Sequence, residues 1–260
     1  MTSSNLSTSD SQVLTQIFDP ESAPTASIVI DQTLPHDIHI TKSSLLSQLR
    51  KRELEAIWHI ESINPSSPSE IKDSPFRQAL ELFRNLIEEH PNYASAYNNR
   101  AQLVRWRYGD SVLVKGSEQQ VAKMAKTVLS DLNTAITLGT PSSPSSPVSP
   151  GQARLLAQAH TQRATLLYTA LKVLKSSNTE EERRSEERFG GKSAEELEDQ
   201  SARDFFMGGR YGNEISKAMA VHVNPYAKMC GNIVKEAMRQ EFCGDGGVEE
   251  AKPAIQPMIV

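Results

Sequence analysis

The sequence predicts an all-α fold, a right-handed stack of three helix pairs that forms an α-solenoid with a C-terminal capping helix. The first observation is the segment from Ala94 to Gln102 (ASAYNNRAQ), in which small and aromatic residues alternate at helical offsets. This pattern is typical of a helix-turn-helix repeat of about 34 residues. The second observation is that apolar residues recur at i, i+3, i+4 and i+7 in several other segments, as expected of helices with one buried face.

Composition limits the classes of function. The apolar share is 38%, below the ~45–50% typical of globular chains on a count that includes glycine, so we expect one modest folded domain with long polar segments. With 28 Lys and Arg against 32 Asp and Glu, the chain has no broad basic face, which predicts no nucleic-acid partner. No apolar run approaches the ~18 residues of a membrane span. The Ser- and Thr-rich start is not a secretory signal, so a cytoplasmic location is expected, with the nucleus as an additional one.

The predicted organisation is one folded domain between two disordered ends. Residues 1–43 mix Ser, Thr, Asp and Pro and are expected to be disordered, except for a short docking motif at 13–20. This motif docks either on the domain's own surface or on a partner. The repeat domain spans 44–243, and residues 244–260 form a flexible tail. Loop insertions are predicted at about 64–74, 111–124, 140–150 and 176–193.

The helix boundaries follow from capping residues and breakers. Ser74 and Pro75 suit the N-cap and the first helical position, Gly109 ends a helix, and Asn224-Pro225 begins the capping helix. Helices are predicted at 44–63, 75–90, 93–108, 121–138, 152–174, 193–207 and 225–243.

Two short sequence tags align the second and third repeats. NNRA at 98–101 matches TQRA at 161–164, and Asp131-Leu132 matches Asp204-Phe205. The repeats are longer than 34 residues, and the excess falls in the predicted loops, where insertions cost little stability because loop-closure entropy grows only logarithmically with length.

These features resemble the tetratricopeptide repeat (TPR) family. The resemblance rests on IFDP at 17–20, on 94–102, on Asp204-Phe205 and on NPYA at 224–227, and it covers roughly 13–20 and 45–240. It implies three TPR-like helix pairs, a cytosolic interaction protein and no catalytic machinery. The chain departs from the family in its long insertions and at Trp58, where a small residue is usual, so the register of the first repeat stays open.

In such a stack the first helix of each repeat lines a concave groove. Asn and Gln side chains suit an extended peptide because they both donate and accept hydrogen bonds. The alternative is that Asn98 and Asn99 tie neighbouring helices together. We predict a non-enzymatic adaptor or scaffold whose partner-binding residues are Ser95, Asn98, Asn99, Gln102, Arg105, Trp106, Gln158, Thr161, Gln162 and Thr165.

The resemblance also implies an alternative function, a co-chaperone that docks on Hsp70 or Hsp90 C-terminal tails. Some family members bind these carboxylates with Lys, Asn and Arg of successive first helices, through charge-assisted hydrogen bonds. Asn99 matches one of those asparagines, but cations are missing elsewhere. The corresponding residues of the other repeats are Gln158, Gln162, Glu55 and His59. A register slip in the first repeat would restore Arg50, Lys51 or Arg52.

No catalytic or metal site is predicted. The six His and two Cys show no metal-ligand spacing, and GGKS at 190–193 lacks the earlier glycine and the strand of a phosphate loop. We therefore expect no enzyme activity, no cofactor and no metal. A monomer is expected, although self-assembly through an exposed stripe of the capping helix is a third possibility.

Four hydroxyl residues precede prolines in the insertion at 140–150. Proline-directed kinases modify such sites, and each phosphate adds about 1.5–2 negative charges. The alternative is that this tract is a plain spacer. The candidate phosphorylation sites are Thr140, Ser143, Ser146 and Ser149.

Overall fold

A computed structural model describes residues 28–64, 66–114, 119–143, 146–176 and 192–223. Within these ranges the chain forms seven helices and a single isolated β-bridge, so the predicted all-α class is confirmed. No helix in the described ranges is both long and apolar enough to cross a membrane. The helices are α1 (Ser43–Glu61), α2 (Ser69–Glu89), α3 (Ala94–Tyr108), α4 (Gln119–Gly139), α5 (Pro150–Ser176), α6 (Ala194–Arg210) and α7 (Glu214–Val223).

Helix α2 begins one and a half turns before the predicted start. Pro75 lies inside this helix rather than at its first position, and it removes one backbone donor from the second turn. The helix tolerates this loss because Phe76 and Ala79 follow directly and are buried. The predicted N-cap role of Ser74 is therefore wrong, and the insertion expected at 64–74 is reduced to the residues before Ser69.

The insertion expected at 111–124 is also partly structured. Gly109 ends α3 with a φ of 79°, a left-handed conformation that glycine adopts without steric cost. The turn that follows buries Val112 and Leu113. Helix α4 then begins at Gln119, two residues before its predicted start.

Helix α5 begins at the end of the Ser/Pro tract. Ser149 Oγ accepts the backbone N–H of Gln152 at 3.2 Å, and Gln152 Oε1 faces the Ser149 N–H at 3.4 Å. Pro150 occupies the first helical position, where its missing donor costs nothing. Helix α6 begins in the same way, because Ser193 and Glu196 form a capping box.

Helix α7 is absent from the sequence prediction. Gly212 (φ 98°) turns the chain after α6, and Asn213 Oδ1 accepts the backbone N–H of Ser216 at 2.8 Å, which caps the new helix. The last residues of α7, 221–223, belong to a second compact unit that spans 221–260, whereas the preceding helices belong to the unit 1–220. The predicted capping helix at 225–243, both cysteines and the tail lie outside the described residues, as do 177–191.

Within the first unit, each helix from α1 to α6 packs against the next, and α3 also contacts α5. The predicted small contact residues Ala79, Ala101 and Ala164 are fully buried. On α1 the buried small residue is Ala56, while Trp58 is 71% exposed. Ala56 therefore occupies the small-residue position of the first repeat in the structure. This register is shifted by two residues from the predicted register, which placed Trp58 at that position.

Residues 28–42, called the strap below, are ordered against the helices. Val148 N–H donates to Val29 O and Asp31 N–H donates to Val148 O, each at 2.9 Å, which forms a parallel bridge between Ile30 and Val148. Gly151 allows the chain to pass closely, because a Cβ there would lie 2.5 Å from His36 O. The expectation of disorder up to residue 43 is wrong for the strap, and the docking motif at 13–20 lies outside the described residues.

Candidate functional site

The predicted groove residues of α3 and α5 hydrogen-bond to each other. Asn98 is buried; its amide donates to Gln158 Oε1 at 3.3 Å and accepts from Gln162 Nε2 at 2.9 Å. Gln162 is buried as well. At these positions the geometry matches the alternative interpretation, in which the amides tie neighbouring first helices together.

The same row of contacts extends to α1 and α7. Asn99 Nδ2 donates to Glu53 Oε1 at 2.9 Å, and Thr161 Oγ1 lies 2.6 Å from Ser216 Oγ. Gly208 makes room for the second contact, because a Cβ there would lie within 3 Å of both hydroxyls. We call this row the polar ladder; it consists of Glu53, Asn98, Asn99, Gln158, Thr161, Gln162 and Ser216.

Glu53 and Ser216 are the members of the ladder that the sequence analysis missed, and Glu53 could have been identified. It lies three residues before Ala56, as Asn98 and Thr161 lie three residues before their buried alanines, so the correct register would have identified it. The side chain is buried, and Tyr93 donates its hydroxyl to Glu53 Oε2 at 2.7 Å. Burial raises the pKa of Glu53 above its usual range, and the hydrogen bonds from Tyr93, Ser95 and Asn99 only partly offset this effect.

In both the second and the third repeat, an ion pair joins the first helix to the second helix. Arg100 makes two hydrogen bonds to Asp131, at 2.6 and 2.8 Å, and Arg163 makes two to Asp204, at 2.6 and 2.7 Å. The tags NNRA and TQRA therefore align residues with equivalent contacts. His160 Nδ1 lies 2.8 Å from Asp204.

The environment of Asp204 favours its charged form. Burial alone would raise the pKa of this carboxyl, but hydrogen bonds with His160 and Arg163 and their charges hold the pKa below its usual range. The His160 ring also stacks on Tyr211 with ring centroids 6.0 Å apart. This buried cluster has the contacts of a structural ion pair that holds α5 against α6.

The remaining predicted residues divide between the surface and other contacts. Gln102 is exposed, Arg105 pairs with Asp110 at 2.7 Å, and Trp106 is half-buried with Lys72 Nζ 5.7 Å from its ring centroid. Thr165 Oγ1 donates to the backbone carbonyl of Thr161.

The two other predicted residues, Ser95 and Gln158, line a cavity of about 270 Å³ beneath the strap. Four basic side chains line the same cavity: His36, His39, Arg50 and Arg154. The acidic lining residue, Asp37, accepts the backbone N–H groups of His39 and Ile40 at 2.8 Å. The lining of this strap cavity thus holds more basic than acidic side chains, a feature that the sequence analysis did not predict because the strap was expected to be disordered.

The corrected register explains which residues meet in the cavity. Arg50, Ser95 and Gln158 each lie six residues before the buried alanine of their first helix. In this register the residue of α1 equivalent to Ser95 and Gln158 is Arg50, whereas the sequence analysis placed Glu55 and His59 at the clamp positions of the first repeat and obtained Arg50 only with a register slip. Glu55 is exposed and His59 half-buried, and neither lines the strap cavity.

The four candidate phosphorylation sites differ in accessibility. Thr140 is exposed, with its Oγ1 bonded to Ile136 O at 2.6 Å, and Ser143 and Ser146 are partly exposed. Ser149 is fully buried and caps α5, so a kinase would have to unfold the start of this helix to reach it. This burial argues against Ser149 as a phosphorylation site, while the other three remain predictions.

Among the described residues, no group of three or more His, Cys, Asp or Glu is arranged to hold a metal ion. Lys192 and Ser193 of the GGKS string are described, and Ser193 serves as the N-cap of α6. Its two glycines lie in the undescribed range 177–191.

Similarity to known proteins agrees with this architecture. No family model matches the sequence, and no solved structure matches the chain. The L-tyrosine degradation gene cluster protein hmgX of Aspergillus fumigatus is 39% identical over 249 residues, which cover 92% of this chain and 94% of that protein. Tetratricopeptide repeat protein 36 of Danio rerio is 28% identical over 88% of this chain and 91% of its own length, and the Drosophila melanogaster homolog is 26% identical over 90% and 95%. The chain therefore belongs to the tetratricopeptide repeat protein 36 family.

Proposed function

We propose that this protein is a non-enzymatic adaptor that binds a protein partner on the face formed by its first helices, with the strap cavity as the anchoring site. The observation that carries the proposal is the convergence of Arg50 and Arg154, from different repeats, on one cavity with Ser95 and Gln158. Arginine pairs well with carboxylates because its planar group donates two parallel hydrogen bonds. We further propose that the protein acts as a monomer in the cytoplasm, with the nucleus as a second location.

The name of one relative suggests the class of partner. The 39% identical protein is described as belonging to an L-tyrosine degradation gene cluster. We propose that the partner is an enzyme of L-tyrosine degradation, which this chain holds and stabilises in its folded form. An acidic side chain or loop of that enzyme would enter the strap cavity, and the amide of Gln158 and the hydroxyl of Ser95 would bond to its backbone.

The test is a binding titration with the purified enzymes of that degradation. The full chain is compared with Arg50→Ala/Arg154→Ala and with the matched control Arg77→Ala/Arg203→Ala, which removes two exposed arginines from second helices. Hydrogen bonds to charged groups contribute about 1.5–3 kcal/mol each, so the cavity variant should raise the Kd at least about 10-fold.

The cavity is supported as the binding site only if Arg50→Ala/Arg154→Ala weakens binding and Arg77→Ala/Arg203→Ala does not. Equal binding by both double variants would reject it, and equal weakening by both would indicate attraction by net charge alone.

A second candidate is docking on the acidic C-terminal tails of Hsp70 or Hsp90. Arg50 occupies the position of the first repeat that is equivalent to Ser95 and Gln158. This position favours tail docking because Arg50 supplies a cation that the register predicted from the sequence lacked. A tail peptide with a free C-terminal carboxylate is compared with its C-terminally amidated form. Tighter binding of the free carboxylate, lost in Arg50→Ala/Arg154→Ala, supports tail docking, and equal binding of the two peptides excludes it.

A further inference from the structure

One face of α1 combines two cations with two large apolar side chains. Arg50, Lys51, Leu54 and Trp58 fall within about 100° of each other around the helix axis, given 3.6 residues per turn. All four are exposed, with Leu54 at 65% and Trp58 at 71%. Large apolar side chains four residues apart form a contiguous patch on a helix surface. We call these four residues the α1 face.

The neighbouring charges show that this face differs from the rest of α1. Arg52, on another side of the helix, makes two hydrogen bonds to Glu89 at 2.6 and 2.8 Å. Arg50 instead lines the strap cavity. The α1 face thus combines Arg50 and Lys51 with an apolar patch, and its Arg50 lines the strap cavity; exposed Glu61 lies on the same side at the C-terminal end of the helix.

The chain carries a segment of complementary character before the strap. Residues 1–27 contain Asp10, Asp19 and Glu21 and no Lys, Arg or His. Between these acids lies the apolar motif at 13–20, whose hydrophobic side chains are Val13, Leu14, Ile17 and Phe18. An acidic segment with an apolar centre matches the α1 face in both charge and hydrophobicity.

The chain between the motif and the strap has a long reach. Ile28 lies ten positions after Phe18, and this stretch spans up to about 33 Å when extended. The strap that follows contributes His36 and His39 to the cavity that Arg50 lines. From Arg50, Trp58 lies eight residues, or about 12 Å, further along the helix axis.

We propose that residues 13–20 dock on the α1 face of the same chain. Ile17 and Phe18 cover Leu54 and Trp58, and the acidic residues on either side of the motif lie near Lys51 and Arg50. The driving force is burial of apolar surface, and the charges select the orientation. The segment thereby covers the exposed apolar side chains of α1.

The experiment uses fluorescence of Trp58 in the full chain. The chain has two tryptophans, so Trp106→Phe leaves Trp58 as the sole reporter, and acrylamide quenching measures its accessibility. Ile17→Ser/Phe18→Ser is compared with Leu6→Ser, which removes an apolar residue outside the motif. Because a covering aromatic ring shields most of the surface it contacts, the double variant should raise the quenching constant about twofold, and Leu6→Ser should leave it unchanged.

A charge exchange tests the orientation. Lys51→Glu should expose Trp58, and adding Asp19→Lys/Glu21→Lys to this variant should restore its protection. Equal quenching in the parent, the Ile17→Ser/Phe18→Ser variant and Leu6→Ser would overturn the proposal. Protection that disappears on dilution would also overturn it, because the occupant would then be a second copy of the chain. Circular dichroism of each variant verifies the helical content.

Discussion

At the scale of single residues, Glu53 shows how burial changes the chemistry of a carboxyl. Three neighbours, Tyr93, Ser95 and Asn99, hydrogen-bond to it, yet burial raises its pKa because the charged form loses its hydration. A carboxyl whose pKa is higher in the folded than in the unfolded protein stabilises the fold at pH values below its unfolded pKa. This stabilisation is lost as the pH rises through the pKa of the folded state.

Glu53→Gln should therefore stabilise the protein at neutral pH. The neutral amide keeps the size of the side chain without a charge to desolvate; its oxygen can accept from Asn99, and its NH2 group can donate to the Tyr93 hydroxyl oxygen. We expect the free energy of unfolding of the wild type to fall relative to that of Glu53→Gln as the pH rises above about 4.3, the ordinary pKa of a glutamate. Urea titrations at several pH values measure this difference. Glu55→Gln, an exposed neighbour, is the control, and parallel pH profiles of wild type and Glu53→Gln would contradict the expectation.

A second residue-scale prediction concerns Phe83 in the core. Its side chain is 1% exposed, so Phe83→Ala removes a ring that the surrounding side chains cannot replace. We expect a loss of about 3–5 kcal/mol in the free energy of unfolding. Ile71→Ala on the same helix is the comparison, since Ile71 is 55% exposed. A loss for Phe83→Ala no larger than that for Ile71→Ala would show that the ring is not part of the core.

At the scale of elements, hydrogen bonds between side chain and backbone at the caps predict helix ends better than residue type alone. Ser149 and Ser193 cap α5 and α6 through reciprocal contacts with residues three positions later. In contrast, Pro75 suits a helix start by its type but lies within α2. An interior proline removes one hydrogen bond and crowds the carbonyl four residues earlier, at a cost of about 3 kcal/mol, which burial of Phe76 and Ala79 in the same helix offsets.

The contact between the strap and α5 can be tested at Gly151. Replacing a helical glycine with alanine normally stabilises a helix by about 1 kcal/mol. Here the added Cβ would meet His36 O at 2.5 Å, so Gly151→Ala should release the strap. Hydrogen exchange at the Asp31 and Val148 amides, which form the bridge, should become faster. An unchanged exchange rate together with a more stable protein would mean that the strap is not held at this point.

At the scale of the whole molecule, the polar ladder relates the first helices of successive repeats. Its members at equivalent positions are Glu53, Asn98 and Thr161, and each contacts the following first helix or α7. Repeat proteins are stabilised by contacts between neighbouring repeats. The ladder therefore couples the repeats within the first unit, and this role competes with the peptide-binding role predicted for the same side chains.

Two substitutions on α3 separate these roles. Asn98→Ala leaves Gln162 Nε2 without its buried acceptor, and an unsatisfied buried group costs about 1–3 kcal/mol. Gln102→Ala changes an exposed side chain and should alter stability by less than about 0.5 kcal/mol. Urea unfolding of both variants measures these changes. If Asn98→Ala were as stable as the wild type, the ladder would not couple the repeats.

The helical class and the alignment of the second and third repeats could be predicted from the sequence alone. These features depend on local periodicity and on residue type, which one segment reveals without its neighbours. The two sequence tags align Arg100 with Arg163, and in the structure these arginines pair with Asp131 and Asp204.

The register of the first repeat, the order of the strap and the position of the cavity depend on packing between distant segments. Trp58 and Ala56 are both compatible with a helix, and burial alone distinguishes them. The strap mixes apolar and polar residues, and it is ordered by burial of Ile40, by backbone bonds to Val148 and by close approach to Gly151, the last two more than 100 positions away. Its cavity brings together Arg50 and Arg154, because contacts between distant segments depend on how helices pack, which no local pattern encodes.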